Sequence, residues 1–162
     1  MTDDQRQKND GTPSPARPWE PALDGRPVIV VGFDGSPTSL HAGAYAAGTA
    51  RWQNARLLVV FVQATSALSM LAPEHAWLAQ ESLGAVTDEL RQQVEAASAY
   101  TGLDVEFIAV RGDPYTELCR IATQARADAV VVGSSTHAGH RIMGSLAVRL
   151  VRAGRWPVTV VP

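Results

Sequence analysis

From Pro27 onward, short unbroken apolar runs alternate with longer segments of helical period. "PVIVVGF" (27–33) and "ARLLVVFV" (55–62) are too continuously apolar for strands wet on one face. They read as central parallel strands covered by helices on both sides. "LDVEFIAV" (103–110) alternates as an edge strand does, "ADAVVVG" (127–133) is again apolar, and "PVTVV" (157–161) is the last strand. Helices fill the gaps. The first begins in "GSPTSLHAGAYAAGTA", with Ser36 as N-cap and Pro37 at the first helical position. In the second, Leu83, Val86, Leu90, Val94 and Ala97 recur at spacings of three and four and predict one apolar stripe against the sheet. The third opens at "GDPYTEL", capped by Asp113 and led by Pro114, and the fourth runs from about Ser145 to a stop near Gly154. The stretch "QATSALSMLAPEH" (63–75) either folds over a site or simply connects, and the simple connection is the preferred reading.

The order βαβαβαβαβ, with right-handed crossovers, predicts an α/β fold: an open parallel five-stranded sheet with helices on both faces. Winding outward from strand one in both directions gives the order 3-2-1-4-5, a flavodoxin-like or Rossmann-like arrangement with its topological switch point between strands one and four. Ligands of such sheets sit at the carboxyl ends of the strands beside that switch. Here those ends are "GFDGS" (32–36) and "VGSSTHAG" (132–139).

Four collinear segments around these ends, "VIVVGFDGSPTSLHAGAYAA", "VRGDPYTELCRIA", "ADAVVVGSS" and "MGSLAVRLVRAGRWPVTVVP", resemble the single-domain bacterial universal stress proteins over about residues 27–162. That likeness implies an adenine nucleotide alpha hydrolase-like fold. In the nucleotide-binding branch of the family the loop after strand four reads G-x2-G-x9-G-[ST] and ATP lies across it. Glycines let backbone amides approach phosphate oxygens, and the closing pair presents helix N-terminal amides. Gly133 matches the first glycine, and Gly144 and Ser145 match the closing pair. Thr136 stands where the second glycine belongs, and ten residues separate Gly133 from Gly144, two fewer than in the motif. The branch that resembles universal stress protein A, and lacks the ATP motif, has a loop of this shorter kind. The resemblance further places Asp34 near the adenine, the backbone of Val62 against the base and Gly112 where the chain passes the ribose. Each has a plainer structural role as well: Asp34 as a helix cap, Val62 in the core, Gly112 as a turn. ATP or another adenine nucleotide is therefore the implied cofactor, with an empty or repurposed pocket as the alternative.

The same family commonly dimerises through its last strand, so a homodimer through 157–161 is expected, with Trp156 either at that seam or packed on the fourth helix. An unidentified protein partner fits a stress-response binding or signalling module. No P-loop, H-E-x-x-H, G-x-S-x-G or paired-cysteine motif appears, and Ser134, Ser135 and Thr136 have no evident base beside them. No enzyme is expected. The rival reading is slow ATP hydrolysis or adenylyl transfer of the alpha hydrolase type. A phospho-receiver domain would need an acidic cluster and a strand-borne lysine, and the chain offers Asp34 alone.

Composition adds bounds. The chain has 162 residues, 46% of them hydrophobic, which suits one domain. A net charge of −2 and a pI of about 6.1 argue against nucleic acid or an anionic membrane as partner. Residues 1–26 are rich in Asp, Gln, Pro and Arg and read as a tail, in which Trp19 either docks on the domain or stays in water. The polar N-terminus and the lone Cys119, read as a core thiol, point to the cytoplasm. His137, His140 and Arg141 read as a solvated polar loop, with no carboxylate or thiol nearby to complete a metal site.

Overall fold

The computed structural model describes residues 25–64, 76–134 and 145–162, with side chains described at all of these except 76–83 and 145. The elements follow in the order β1 (Val28–Phe33), α1 (Pro37–Gln53), β2 (Arg56–Ala64), α2 (Ala76–Thr101), β3 (Val105–Gly112), α3 (Pro114–Gln124), β4 (Ala129–Gly133), α4 (Ser145–Ala153) and β5 (Val158–Val161). All pairings are parallel and the sheet order is β3-β2-β1-β4-β5, as the winding argument requires.

Alternation along each strand divides the core between two faces. Val30, Leu58, Val60, Val130 and Val132 face α3 and α4, where Leu118, Ile121 and Leu150 fill the space. Each of those three side chains is at most 2% exposed, worth about 1.5–3 kcal/mol of burial apiece. Cys119 is buried in the same cluster. Ile29, Val31, Phe33, Leu57, Val59 and Phe61 face α1 and α2. Here α1 presents only small residues: Ala42, Ala46 and Ala50, four apart, are fully buried against the strands. An alanine stripe brings the helix axis close to the sheet.

The helix starts follow their sequence cues. Ser36 caps α1, its Oγ accepting from Ser39 N at 3.2 Å with Pro37 next in line, and Asp113 caps α3 by accepting from Thr116 N at 2.9 Å. Gly154, at φ +60°, follows the end of α4 in the left-handed region.

One expectation needs correction. Of the stripe on α2, Leu90 is buried and Val94 partly buried, but Val86 is 45% exposed and Ala97 is exposed too; Leu83 lies outside the described side chains. Length explains part of the difference. At 26 residues α2 runs about 39 Å, whereas the eight residues of β3 beneath it run about 26 Å. The helix is longer than the strand it covers, which leaves Val86 in water, whereas Ala97 faces an open groove over Leu57 and Val105.

β5 is a sheet edge. At the two ends of its ladder with β4, the carbonyls of Pro157 and Val161 accept from Val130 N at 2.9 Å and Ser134 N at 2.7 Å. By alternation, the backbone groups of Val158 and Val160 point away from β4.

Candidate functional site

The strand registers place most of the sequence-derived candidates on one rim. Phe33 lies level with Phe61, and the β1/β4 register carries the same level to Gly133. One residue further out along these registers come Asp34 just past β1, Ser134 just past β4, and Val62, which is not the end of β2, since that strand runs on to Ala64. This is the switch point, where the crossovers leave in opposite directions and open a crevice. Gly112 ends β3, paired with Ala64. Thr136 and Gly144 lie outside the described residues, as do Ser135, His137, His140 and Arg141, and Ser145 is the first residue of α4.

Asp34 organises the turn into α1. Its Oδ1 accepts from Ser36 N at 3.0 Å, and its own N–H donates to Ser39 Oγ at 3.3 Å. Ser39 Oγ in turn donates to Ser36 O at 2.9 Å, so this buried hydroxyl joins strand end and helix start. Partial desolvation raises the Asp34 carboxyl, but hydrogen bonds from Ser36, Ser39 and its own backbone together outweigh that effect and hold it below the usual carboxylate range. At neutral pH it is an anion on the rim, an acceptor for exocyclic amine or hydroxyl donors. The cap itself is Ser36.

Val62 packs its side chain, partly buried, on the α3/α4 core, and its backbone is the polar group it carries at this level. Gly112 adopts φ +150°, a conformation that favours glycine, and a Cβ there would also meet Glu117 Cγ at 3.0 Å. It turns the chain directly into the α3 cap.

Gly133 has a packing reason to be glycine. A Cβ there would lie 2.7 Å from the carbonyl carbon of Thr38 and 2.8 Å from Ser39 N, both backbone atoms of α1. The adjacent amide is also committed, since Ser134 N donates to Val161 O within the sheet. The Ser134 amide is therefore not free for phosphate. The N-terminus of α4, which begins at Ser145, offers unpaired helix amides of the kind that suit an anion.

Sequence reasoning passed over several rim residues. Arg111 Nε donates to Gln63 Oε1 at 3.1 Å, and Gln63 Nε2 donates to Thr87 Oγ1 at 2.6 Å, fastening β2, β3 and α2 at the carboxyl end. Arg149 lies 4.0 Å over the Tyr115 ring and 3.5 Å from Asp113 Oδ1, linking α4 to the start of α3. The bonds from Thr116, backbone and side chain, followed by the charge of Arg149, lower the Asp113 carboxyl. The only cue was adjacency: Arg111 and Asp113 flank Gly112 in "VRGDP".

A doubly wound parallel sheet with a crevice at its switch point defines a class of ligand-binding α/β domains. Residues 26–162 match the profile of the universal stress protein family, and the chain belongs to that family. It is 29% identical over 136 residues to universal stress protein MJ0531 of Methanocaldococcus jannaschii, covering 82% of this chain and 80% of that protein. Its fold is similar to that of universal stress protein UspA from Lactobacillus plantarum, with a TM-score of 0.72 at 22% identity, over 86% of this chain and all of that one. A universal stress protein solved in complex with cAMP superimposes with a TM-score of 0.59 at 27% identity, over 84% of this chain and 96% of that one.

Two consequences can be measured. Gly133→Ala forces β4 and α1 apart and lowers unfolding stability by about 1–3 kcal/mol in urea titrations; an unchanged midpoint would show that α1 shifts freely. Because the folded pKa of Asp34 lies below its unfolded value of about 3.9, its contribution is complete above that value and fades as pH falls through the folded pKa. Asp34→Asn is therefore less stable than the parent at neutral pH, and the gap closes in acid; a gap independent of pH contradicts the ionised carboxylate.

Proposed function

We propose that this universal stress protein is a binding module, not a catalyst, that takes an adenine nucleotide at the rim formed by Asp34, Val62 and the start of the β4–α4 loop, and takes a monophosphate in preference to ATP. The observation that carries this reading is the level placement of an ionised Asp34, the Val62 backbone and the end of β4 at the switch point. Asp34 suits the nucleoside end, and the loop toward α4 suits the phosphate end. The cAMP complex of the relative at 27% identity supports the ligand class. The loop supports the smaller phosphate: it spans ten residues between Gly133 and Gly144, carries Thr136 where the motif has glycine, and follows an amide already bonded to β5. Fewer free amides can surround fewer phosphates.

The free edge of β5 supports a homodimer, paired through the outward backbone groups of Val158 and Val160. Trp156 itself packs partly buried against the α3/α4 core. Action in the cytoplasm fits the single free, buried Cys119. No helix among the described residues is long and apolar enough to cross a membrane.

Equilibrium binding of AMP, cAMP and magnesium ATP tests the first half. AMP or cAMP saturates in the micromolar range, ATP binds more weakly, and Asp34→Ala loses about tenfold in affinity, equivalent to about 1.4 kcal/mol. No saturable binding at millimolar nucleotide overturns the ligand, tighter ATP binding overturns the preference, and ADP or AMP release from ATP in proportion to protein overturns the non-catalytic reading.

Val160→Pro tests the second half. It removes an outward N–H at an edge, where proline is tolerated, and so yields a folded monomer by light scattering. A persistent dimer in that variant rules out this seam.

A further inference from the structure

On the α1/α2 face the two helices pack mainly on the sheet and little on each other, leaving a groove of about 310 Å³ over β2. Its floor is Phe33, Leu57, Val59 and Val105. Its α1 wall is built from Gly43, Ala44 and Ala47, too short to reach α2, while Leu40 at the rim is 48% exposed. The polar groups on the α2 side already have partners: Ser98 Oγ donates to Leu103 O at 2.8 Å, Thr101 Oγ1 to Ala97 O at 2.7 Å and Gln93 Nε2 to Glu89 Oε1 at 3.4 Å. What remains asks for an apolar occupant.

We propose that residues 18–23, "PWEPAL", of the same chain lie in this groove, with Leu23 at its lower end and the indole of Trp19 further up. The described chain begins at Gly25, and Arg26 pairs with Asp104, the residue between the groove-lining Leu103 and Val105. The segment therefore leaves the fold at the end of the sheet where the groove begins. From Leu57 to the level of Phe33 is four residues of strand, about 13 Å, and the six residues from Trp19 to Gly25 span up to about 20 Å. Prolines at 13, 15, 18 and 21 favour extended polyproline backbone, which needs no ladder partner and suits a floor that is the face of a sheet, not its edge. Tethering keeps the local concentration of the segment high without any added affinity. Residues 1–25 precede the family match, so this occupant is a feature of this chain and does not depend on nucleotide binding.

Fluorine NMR of the full chain labelled with fluorotryptophan tests this, with Trp19 assigned by loss of its signal in Trp19→Phe. The readout is relaxation of each signal by a soluble paramagnetic agent, with Trp52, 87% exposed, as the solvent standard. In the parent chain Trp19 relaxes severalfold more slowly than Trp52, and the difference survives dilution. Filling the groove with Ala97→Phe, or from the opposite wall with Ala44→Phe, brings Trp19 to the Trp52 rate while circular dichroism stays native. Trp19 relaxing like Trp52 in the parent overturns the proposal. So does protection lost on dilution, which would assign the segment to a second copy, and so does protection that both folded groove variants leave intact.

Discussion

The contact on which the site depends is between two backbones. Gly133, at the end of β4, lies against the first turn of α1 so closely that one added methyl group would meet Thr38 and Ser39 main-chain atoms at under 3 Å. Because β4 and α1 belong to opposite windings of the sheet, this contact closes the switch point from the α1 side. It brings the start of α1, with its network of Asp34, Ser36 and Ser39, to the rim where β4 ends. The same helix reaches β5, and the last residue is drawn in as well, with Pro162 O 3.2 Å from His41 Nδ1. Edge strand, central strand and helix cap thus share one anchoring point, and a shift of α1 would move all of them.

Side-chain size then decides how each face closes. Against α3 and α4 the strands meet leucine and isoleucine, and the helices are held at ordinary distance with the space filled. Against α1 they meet alanine. An alanine helix sits low, makes the Gly133 contact possible, and leaves its flank too short to meet α2 across β2. The groove over Leu57 and Val59 is the geometric counterpart of the tight contact at β4. One helix cannot crowd the switch point and also reach its neighbour.

Much of this was legible in the sequence, for reasons that can be located. Unbroken runs such as "VIVV" and "LLVV" declare strands buried on both faces, and Ser36-Pro37 and Asp113-Pro114 declare helix starts, because these signals act within a few residues. The strand order follows from right-handed crossovers together with winding outward from strand one in both directions. The stripe on α2 is wider in the sequence than in the packing, since periodicity reports which residues share a helix face and not what lies beneath them. The apolar face of α1 was nearly invisible, because a helix of alanine and glycine shows little contrast between its sides. The rim fastener of Arg111, Gln63 and Thr87 is drawn from three elements and has no local signature.

Gly133 shows how a motif can carry two meanings. As the opening of a phosphate-loop pattern it suggests a ligand, yet its contact with Thr38, 95 positions earlier, gives it a role in packing whether or not anything binds. The two roles are compatible in space, because its alternate-residue face looks toward α1 while the loop leaves the sheet beyond Ser134. They are not equivalent in what they imply. With Ser134 N bonded to Val161, the stretch able to offer amides starts one residue later than the pattern suggests, and it is already shorter by two. A chain that kept this glycine and lost the rest of the loop would keep the close contact between β4 and α1. The glycine that opens the motif therefore reports the architecture, and the spacing that follows it reports the ligand.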